Sequence, residues 1–427
     1  MFGLFESQDK KMRENAANWL ELAEKAYHFR RDVLSDAQVG ELQAQTATLR
    51  ALVRERAGAE KLKLEIERLE DVLRRTGGAI YPKSALVENV EFFLVAALVI
   101  LGIRTYFVQP FKIPTNSMWP TYNGMTPETW REPAKSPGVL MKAVRFALFG
   151  ARPYRLDAPA DGEVMIPLLG GGSRVAVPFR NVPGRSWFVF PTTEKEYTLF
   201  VGERTVAVRV PADFDFEWAV RDCFFPTATA SHEPAGVDLA RAISRQRENL
   251  SYDGGRTRLL RTGKAVKRDE EFMAFDIITG DQLFVDRMSY NFVRPRAGSG
   301  FVFRTGNIPG IADTYGDQYY IKRLVGTPGD RMEVKNFALY RNGAPITGAD
   351  AFAKNSKQAD RYVGYRNEGL LPVGASLEVI PNHYFAMGDN SANSADGRYW
   401  GFVPAKDVVG RPLFVYYPVT SHWGVAK

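Results

Sequence analysis

The stretch VENVEFFLVAALVILGIRTYFV, Val87 to Val108, constrains this chain more than any other part of it. Its centre, Phe92 to Ile103, is an unbroken apolar run of twelve residues. Such a run alone falls short of the roughly 20 residues needed to cross a bilayer and would also suit a buried core helix. Counted from Val87 to Val108 the segment is long enough, provided Glu88 and Glu91 sit near one interface and the Arg104 side chain extends to the other. A transmembrane helix over 87–108 is therefore expected. It begins too far into the chain to be a cleaved leader. Arg74, Arg75 and Lys83 precede it and Arg104 and Lys112 follow it, so basic residues only weakly favour a cytoplasmic N-terminus.

The chain on either side of this segment has two different textures. Residues 1 to 80 contain no proline and are rich in Ala, Leu, Glu, Arg and Gln, which lose least on entering a helix. Leu62, Ile66, Leu69 and Leu73, with Leu42, Leu49 and Leu52 before them, form an apolar seam interrupted by Gly40 and Gly58. The seam fits a coiled coil or helical hairpin open to self-association, or equally an amphipathic helix packed on a neighbour. Thr76-Gly77-Gly78 and Tyr81-Pro82 end the helical region.

Beyond residue 110 short β-rich runs alternate with Gly, Pro, Asn and Asp. Strands are expected near 163–166, 174–179, 187–190, 198–201, 205–210, 282–288, 301–304, 319–325, 332–334, 338–341, 384–387 and 412–416. Asn342-Gly343 marks a two-residue hairpin, and Gly202-Glu203 joins another. Helices are expected only near 138–149 and 238–248. The fold class is thus mainly β after one membrane helix and a helical N-terminal region. At 427 residues with 45% hydrophobic and 25% charged side chains, the chain is neither disordered nor a polytopic membrane protein. Its one cysteine, Cys223, excludes an intramolecular disulfide and a zinc–thiolate quartet. A net charge of +7 is mild for this length and calls for no nucleic-acid partner; an anionic membrane surface would suit it.

Directly after the apolar segment comes QPFKIPTNSMWPT, Gln109 to Thr121. Pro114 and Pro120 bracket Ser117 in a bend from which a hydroxyl can project. A serine between prolines is most often a turn residue, and a nucleophile needs a base. His28, His232, His383 and His422 are poorly placed to supply one. A lysine kept neutral by burial is the alternative, because desolvation disfavours the ammonium. On a strand over Tyr319 to Val325, Lys322 would share a face with Tyr320 and Leu324. Three further blocks complete the pattern: GDQLFV from Gly280, GTPGD from Gly326, and GDN from Gly388 running on to SADGRYWG from Ser394.

With these motifs in order, the sequence resembles bacterial type I signal peptidase, also called leader peptidase, over about 85 to 124 and about 276 to 416. The resemblance implies a membrane-bound serine endopeptidase with a Ser-Lys dyad and no cofactor, which removes signal peptides from exported preproteins. It implies that Ser117 is the nucleophile and Lys322 the general base, that Ser394 orients the lysine, and that Thr115 and the Ser117 N–H form the oxyanion hole. Asp396 and Arg398 would support the Ser394 loop. Phe111, Ile113, Pro114, Tyr320 and Ile321 would wall the shallow substrate pockets. The implied partners are signal peptides and the lipid bilayer, and the implied topology is single-pass, with a cytoplasmic N-terminus and an extracytoplasmic catalytic domain. The expected organisation is a helical region over 1–80, a span over 87–108, a nucleophile loop over 109–124, an inserted and mostly β subdomain over 125–275, and the rest of the protease over 276–427.

The chain departs from the family pattern at Asn116, Trp119 and Tyr122, which are bulky for the pocket, and at Gly298-Ser299-Gly300 in place of Gly-Asp. The insertion is the large departure, and within it the helix-forming stretch VLMKAVRFALFGARP, 139–153, is apolar enough to lie in a bilayer interface. A specialised enzyme with few substrates, or a tethered assembly factor that keeps the scaffold, are the competing readings. The presence of Ser117, Lys322 and Ser394 together favours an enzyme.

Overall fold

The computed structural model describes residues 8–130, 137–171, 174–186, 190–225, 239–240, 243, 250–253 and 257–427. They divide into two compact units, residues 1–101 and 102–427.

In the first unit, helices α1 (Gln8–Arg30), α2 (Asp36–Arg54) and α3 (Ala59–Thr76) pack on one another. Ala16, Ala23 and Ala26 of α1 are buried against the leucine seam of α2 and α3, small residues that let the helices approach closely. The seam is thus covered within its own chain. Ser35 caps α2, with the Gln38 side chain returning to the Ser35 backbone. Contrary to the sequence reading, α2 runs through Gly40, since one interior glycine costs only about 1 kcal/mol. Gly58, by contrast, is the N-cap of α3. Helix α4 (Ala85–Tyr106) follows, with mean hydropathy 2.2 over its most apolar window and none of that window buried by protein.

The second unit is built around an eight-stranded sheet. Its strands lie in the order Val108–Lys112, Gln282–Asp286, Val408–Tyr417, Gly300–Arg304, Tyr319–Gly326, His383–Met387 and Phe402–Pro404, with Gly424–Val425 beside Val408–Tyr417. A four-stranded sheet carries the hairpin Ala338–Arg341 to Ala344–Pro345, where Asn342 and Gly343 both have positive φ, as a two-residue turn of this kind requires.

The residues between the two halves of the main sheet form a seven-stranded sheet in the order Phe179–Ser186, Phe190–Val201, Gly162–Gly171, Thr257–Val266 and Leu250–Asp253. Arg174–Ala176 and Arg204–Pro211 pair at its sides. A three-stranded sheet, Thr126–Thr129, Glu271–Ile278 and Arg152–Asp157, adjoins it. Phe275 is buried between Tyr154 and Phe214, stacked on both, and joins the inserted core to the strand that leads back to the main sheet.

The expected helix near 139 is Val139–Phe149, here α5. Of that expected at 238–248, only residues 239, 240 and 243 are described, and they are helical. Of the strand expected at 187–190, residues 187–189 lie outside the described residues. The strand expected at 282–288 stops at Asp286, whose carboxylate accepts the backbone N–H groups of Met288 and Ser289 and turns the chain. That expected at 174–179 is two strands, ending at Ala176 and resuming at Phe179 around Pro178.

Candidate active site

The strand Val108–Lys112 pairs antiparallel with Gln282–Asp286 and delivers the chain into the Ser117 loop. That loop is pinned from several sides. Asn116 Nδ2 donates to the Met125 carbonyl (2.8 Å) while its Oδ1 accepts from Gly124 N–H (2.9 Å), so the amide that looked too large for the pocket ties the loop to itself. Asn390 holds the other side, with its backbone N–H on the Ser117 carbonyl and its side chain on the Asn116 carbonyl. Asp281 accepts the Asn123 N–H at 2.8 Å, and its backbone closes on Ile113 and Asn123. Gly280 permits this approach: a Cβ there would lie 1.9 Å from the Ile113 carbonyl oxygen.

Lys322 lies on the central strand Tyr319–Gly326, opposite Phe301. Burial deepens along this strand, from exposed Tyr319 through half-buried Tyr320 and Ile321 to buried Lys322. The Lys322 Nζ is hydrogen-bonded to Ser117 Oγ and sits 5.7 Å from the centre of the Tyr320 ring. Desolvation pulls the lysine down from its ordinary value to about 8; Asp396 and Asp389 oppose this, and Arg398 assists it. A substantial neutral fraction near physiological pH follows, adjacent to a hydroxyl.

Ser394 is buried nearby, and its Oγ has no hydrogen-bond partner among the described residues. Gly388 separates it from the nucleophile loop: a Cβ at Gly388 would lie 2.2 Å from Ser394 Oγ and 2.4 Å from the Ser117 carbonyl oxygen. Asp396 and Arg398 are fully buried, not an exposed pair. Asp396 takes the Arg398 guanidinium through both oxygens (2.8 and 3.0 Å) and accepts the Gly388 N–H (3.0 Å), while Arg398 also donates to the Ser391 carbonyl at 2.6 Å. The pair therefore links the Ser394 loop to Gly388 beneath the lysine.

Sequence reasoning missed a second buried pair. Arg323 grips Asp389 at 2.8 and 2.6 Å and donates to the Gly298 carbonyl at 2.7 Å; Asp389 also accepts from Thr121 Oγ1 at 2.6 Å. The signal was an arginine beside a lysine in an otherwise apolar strand, whose side chain must point away from Lys322 and find an anion. Gly298, with positive φ, packs so closely on Gly348 that a Cβ would lie 2.4 Å from the Gly348 carbonyl oxygen, and the Gly298 carbonyl is the one that Arg323 reaches.

Ser117 and Lys322 open onto a cleft of about 670 Å³. Phe111, Ile113, Pro114, Thr115, Tyr320 and Ile321 all line it. Its far wall is supplied by the insertion, through Phe179, Tyr197, Asp213 and Phe214 among others. Trp218 of the inserted helix Phe216–Phe224 meets Trp119 of the nucleophile loop edge to face, with ring centres 5.6 Å apart. Of the histidines, His422 pairs with Asp281 at 2.8 Å and His383 with the Pro381 carbonyl, and neither joins the lysine. Among the described residues no group of His, Cys, Asp and Glu could hold a metal ion.

Residues 260–417 match the family model described as signal peptidase, peptidase S26, a region that includes Lys322 and Ser394 and starts after Ser117. The chain is 32% identical over 145 residues to a probable signal peptidase I-1 of Synechocystis, covering 34% of this chain and 66% of that protein. It is 32% identical over 143 residues to a signal peptidase I of Bacillus caldolyticus, covering 33% of this chain and 71% of that protein. A crystal structure of a signal peptidase I from Enterococcus faecalis matches at 26% identity over 28% of this chain and 97% of that one, with a TM-score of 0.22. The chain thus spans about two thirds of the length of the curated relatives it matches. On the sequence relatives and the ordered motifs, this chain belongs to the type I signal peptidase family, peptidase S26.

Proposed function

We propose that this protein is a membrane-bound serine endopeptidase that removes signal peptides from exported preproteins through a Ser117–Lys322 dyad. The observation that carries the reading is the contact between a desolvated lysine and the Ser117 hydroxyl at the head of an open cleft. Neutral Lys322 takes the Ser117 proton as Oγ attacks the scissile carbonyl, and the lysinium then protonates the departing amine. The acyl-enzyme remains on Ser117. Lys322, neutral again, draws a proton from water, whose oxygen attacks the ester carbon, and returns that proton to Oγ as the ester breaks. The Ser117 N–H and the Thr115 hydroxyl are the donors for the oxyanion, and removal of one such donor typically costs about 10²–10³ in rate. Ser394, whose buried hydroxyl has no other hydrogen-bond partner among the described residues, is the group that would steady the amine as the lysine moves off Ser117, and Asp396 with Arg398 supports its loop.

An extended substrate lies along Phe111 to Thr115 and Tyr319 to Lys322, adding a strand between them, with small side chains in the shallow pockets before the cleaved bond. A preprotein cut after an Ala-x-Ala-like site meets that requirement. The nucleophile stands nine residues past Val108, so it works close to the membrane face where the end of a signal peptide emerges. Helix α4 spans the membrane once, with the N-terminal helices in the cytoplasm and the catalytic unit outside. The test is to incubate detergent-solubilised protein with a preprotein and sequence the N-terminus of the product. Wild-type protein should yield the mature N-terminus and Ser117→Ala none; equal cleavage by the variant refutes the dyad.

A further inference from the structure

Helix α5 has its polarity turned inside out. Its charged residues are Lys142 and Arg145, and Arg145 points inward: only 12% exposed, it bonds Glu128 at 2.6 Å and Asp276 at 3.2 Å and lies over the Trp130 ring at 5.2 Å. The apolar residues point out. Val139 and Leu140 are 86% and 81% exposed, and Met141, Val144, Phe146 and Leu148 are all exposed as well. No residue of this helix is buried. A surface helix of a water-soluble unit shows the opposite arrangement, with its apolar stripe inward. Here the cation is anchored in the protein while the side chains that water disfavours form a continuous outer face.

The helix is also firmly placed. The Tyr417 hydroxyl donates to the Phe146 carbonyl, Val419 N–H donates to the Leu148 carbonyl, and Gly150 closes the helix in the left-handed conformation. Val419 and Trp423, just beyond this junction, are exposed too and extend the apolar face. A fixed helix with outward Val, Leu, Met and Phe is built to meet an apolar phase that lies parallel to its axis.

We propose that α5 lies in the bilayer interface, with Leu140, Val144 and Leu148 at the acyl boundary, and so fixes the orientation of the catalytic unit on the membrane. The occupant of this face is lipid because the same chain carries α4, which keeps a bilayer permanently within reach and makes the second contact effectively intramolecular. The inference rests on the membrane anchorage proposed above.

The test uses the full chain in vesicles of phosphatidylethanolamine and phosphatidylglycerol. In a Cys223→Ser background, single cysteines at Leu140, Val144 or Leu148 carry an environment-sensitive fluorophore. Lys357→Cys, on an exposed side chain, is the aqueous control, and Leu98→Cys in α4 is the membrane control. Labels at the three α5 positions should emit at shorter wavelength and lose emission to lipids spin-labelled near the headgroup, while Lys357 does not. Water-like emission at all three α5 positions overturns the proposal. So does shielding without lipid quenching but with energy transfer between labelled copies, which would assign the face to a second protein chain. Lipids spin-labelled deep in the acyl chain read Leu98, and quenching at α5 by headgroup labels with none at Leu98 by these deeper ones would count against the α4 anchorage alone. Leu140→Asp with Leu148→Asp should abolish the quenching at Val144 while circular dichroism stays unchanged.

Discussion

Lys322→Met should inactivate the enzyme and at the same time stabilise it. Burial lowers the lysine from the ordinary 10.5 to about 8. At about 1.4 kcal/mol per pK unit this gap corresponds to roughly 3 kcal/mol of native stability withheld below pH 8. The sign follows from proton counting. Between pH 8 and 10.5 the unfolded lysine holds more protons than the folded one, so this group's penalty is full below pH 8 and disappears as the pH approaches 10.5. Methionine fills the same space without a charge. It loses the hydrogen bond to Ser117, worth about 1 kcal/mol, which leaves a net gain of roughly 2 kcal/mol at pH 7. For a catalytic unit of this size that is a rise of roughly 3 °C in Tm. Thermal unfolding of both proteins in the same detergent, followed by near-ultraviolet circular dichroism from pH 7 to 10.5, reads the difference directly. The gap in Tm should close across that range. A variant less stable than wild type at pH 7, or a gap independent of pH, would refute a buried lysine whose charged form is disfavoured by desolvation.

Three further outcomes follow from the site. Asp389→Asn leaves the Arg323 guanidinium buried without its anion and should destabilise the protein by about 3–5 kcal/mol in chemical denaturation, whereas Arg323→Met with Asp389→Leu together should cost less. Gly388→Ala pushes a methyl group against the Ser117 carbonyl and Ser394, and a displacement of about 1 Å there should lower kcat roughly 10²-fold with KM little changed. Asp213 stands exposed on the insertion's wall of the cleft, so Asp213→Lys should shift the ratio of kcat/KM for preproteins bearing Glu rather than Lys a few residues before the cleaved bond by about tenfold, toward Glu.

The sequence was most readable where one local rule settles the outcome. The apolar run after Val87, the Asn342-Gly343 turn and the Lys322 strand each follow from composition or period, and each stands where it was expected. Ser117 and Lys322 are 205 residues apart, and only the ordered motifs of the family resemblance pair them in the sequence. What was missed depends on partners far away in the chain. The helix Phe216–Phe224 is short, and its start is marked only by the Asp215 cap. The strand Glu271–Ile278 is buried almost throughout, so it lacks the alternation that reveals a half-buried strand. Arg323 could be recognised as structural only once Asp389 was known to face it, and Asp396 with Arg398 as buried only once the sheet had closed over them. The inward turn of Arg145 could not be read from α5 at all, because Glu128 and Asp276 come from other strands.

The order of strands in the main sheet also sets the moment at which the enzyme can first cut anything. The nucleophile hangs from the pair Val108–Lys112 and Gln282–Asp286, the base from the pair Gly300–Arg304 and Tyr319–Gly326. Between the two pairs lies Val408–Tyr417, which is synthesised after both and hydrogen-bonds to each. Until that strand arrives, serine and lysine belong to separate strand pairs joined through the segment 287–299, with no strand between them to fix their spacing. On the proposed function, the nascent chain therefore carries an unassembled dyad until this last strand is in place. On that reading, proteolytic competence is timed by the order in which the strands are made.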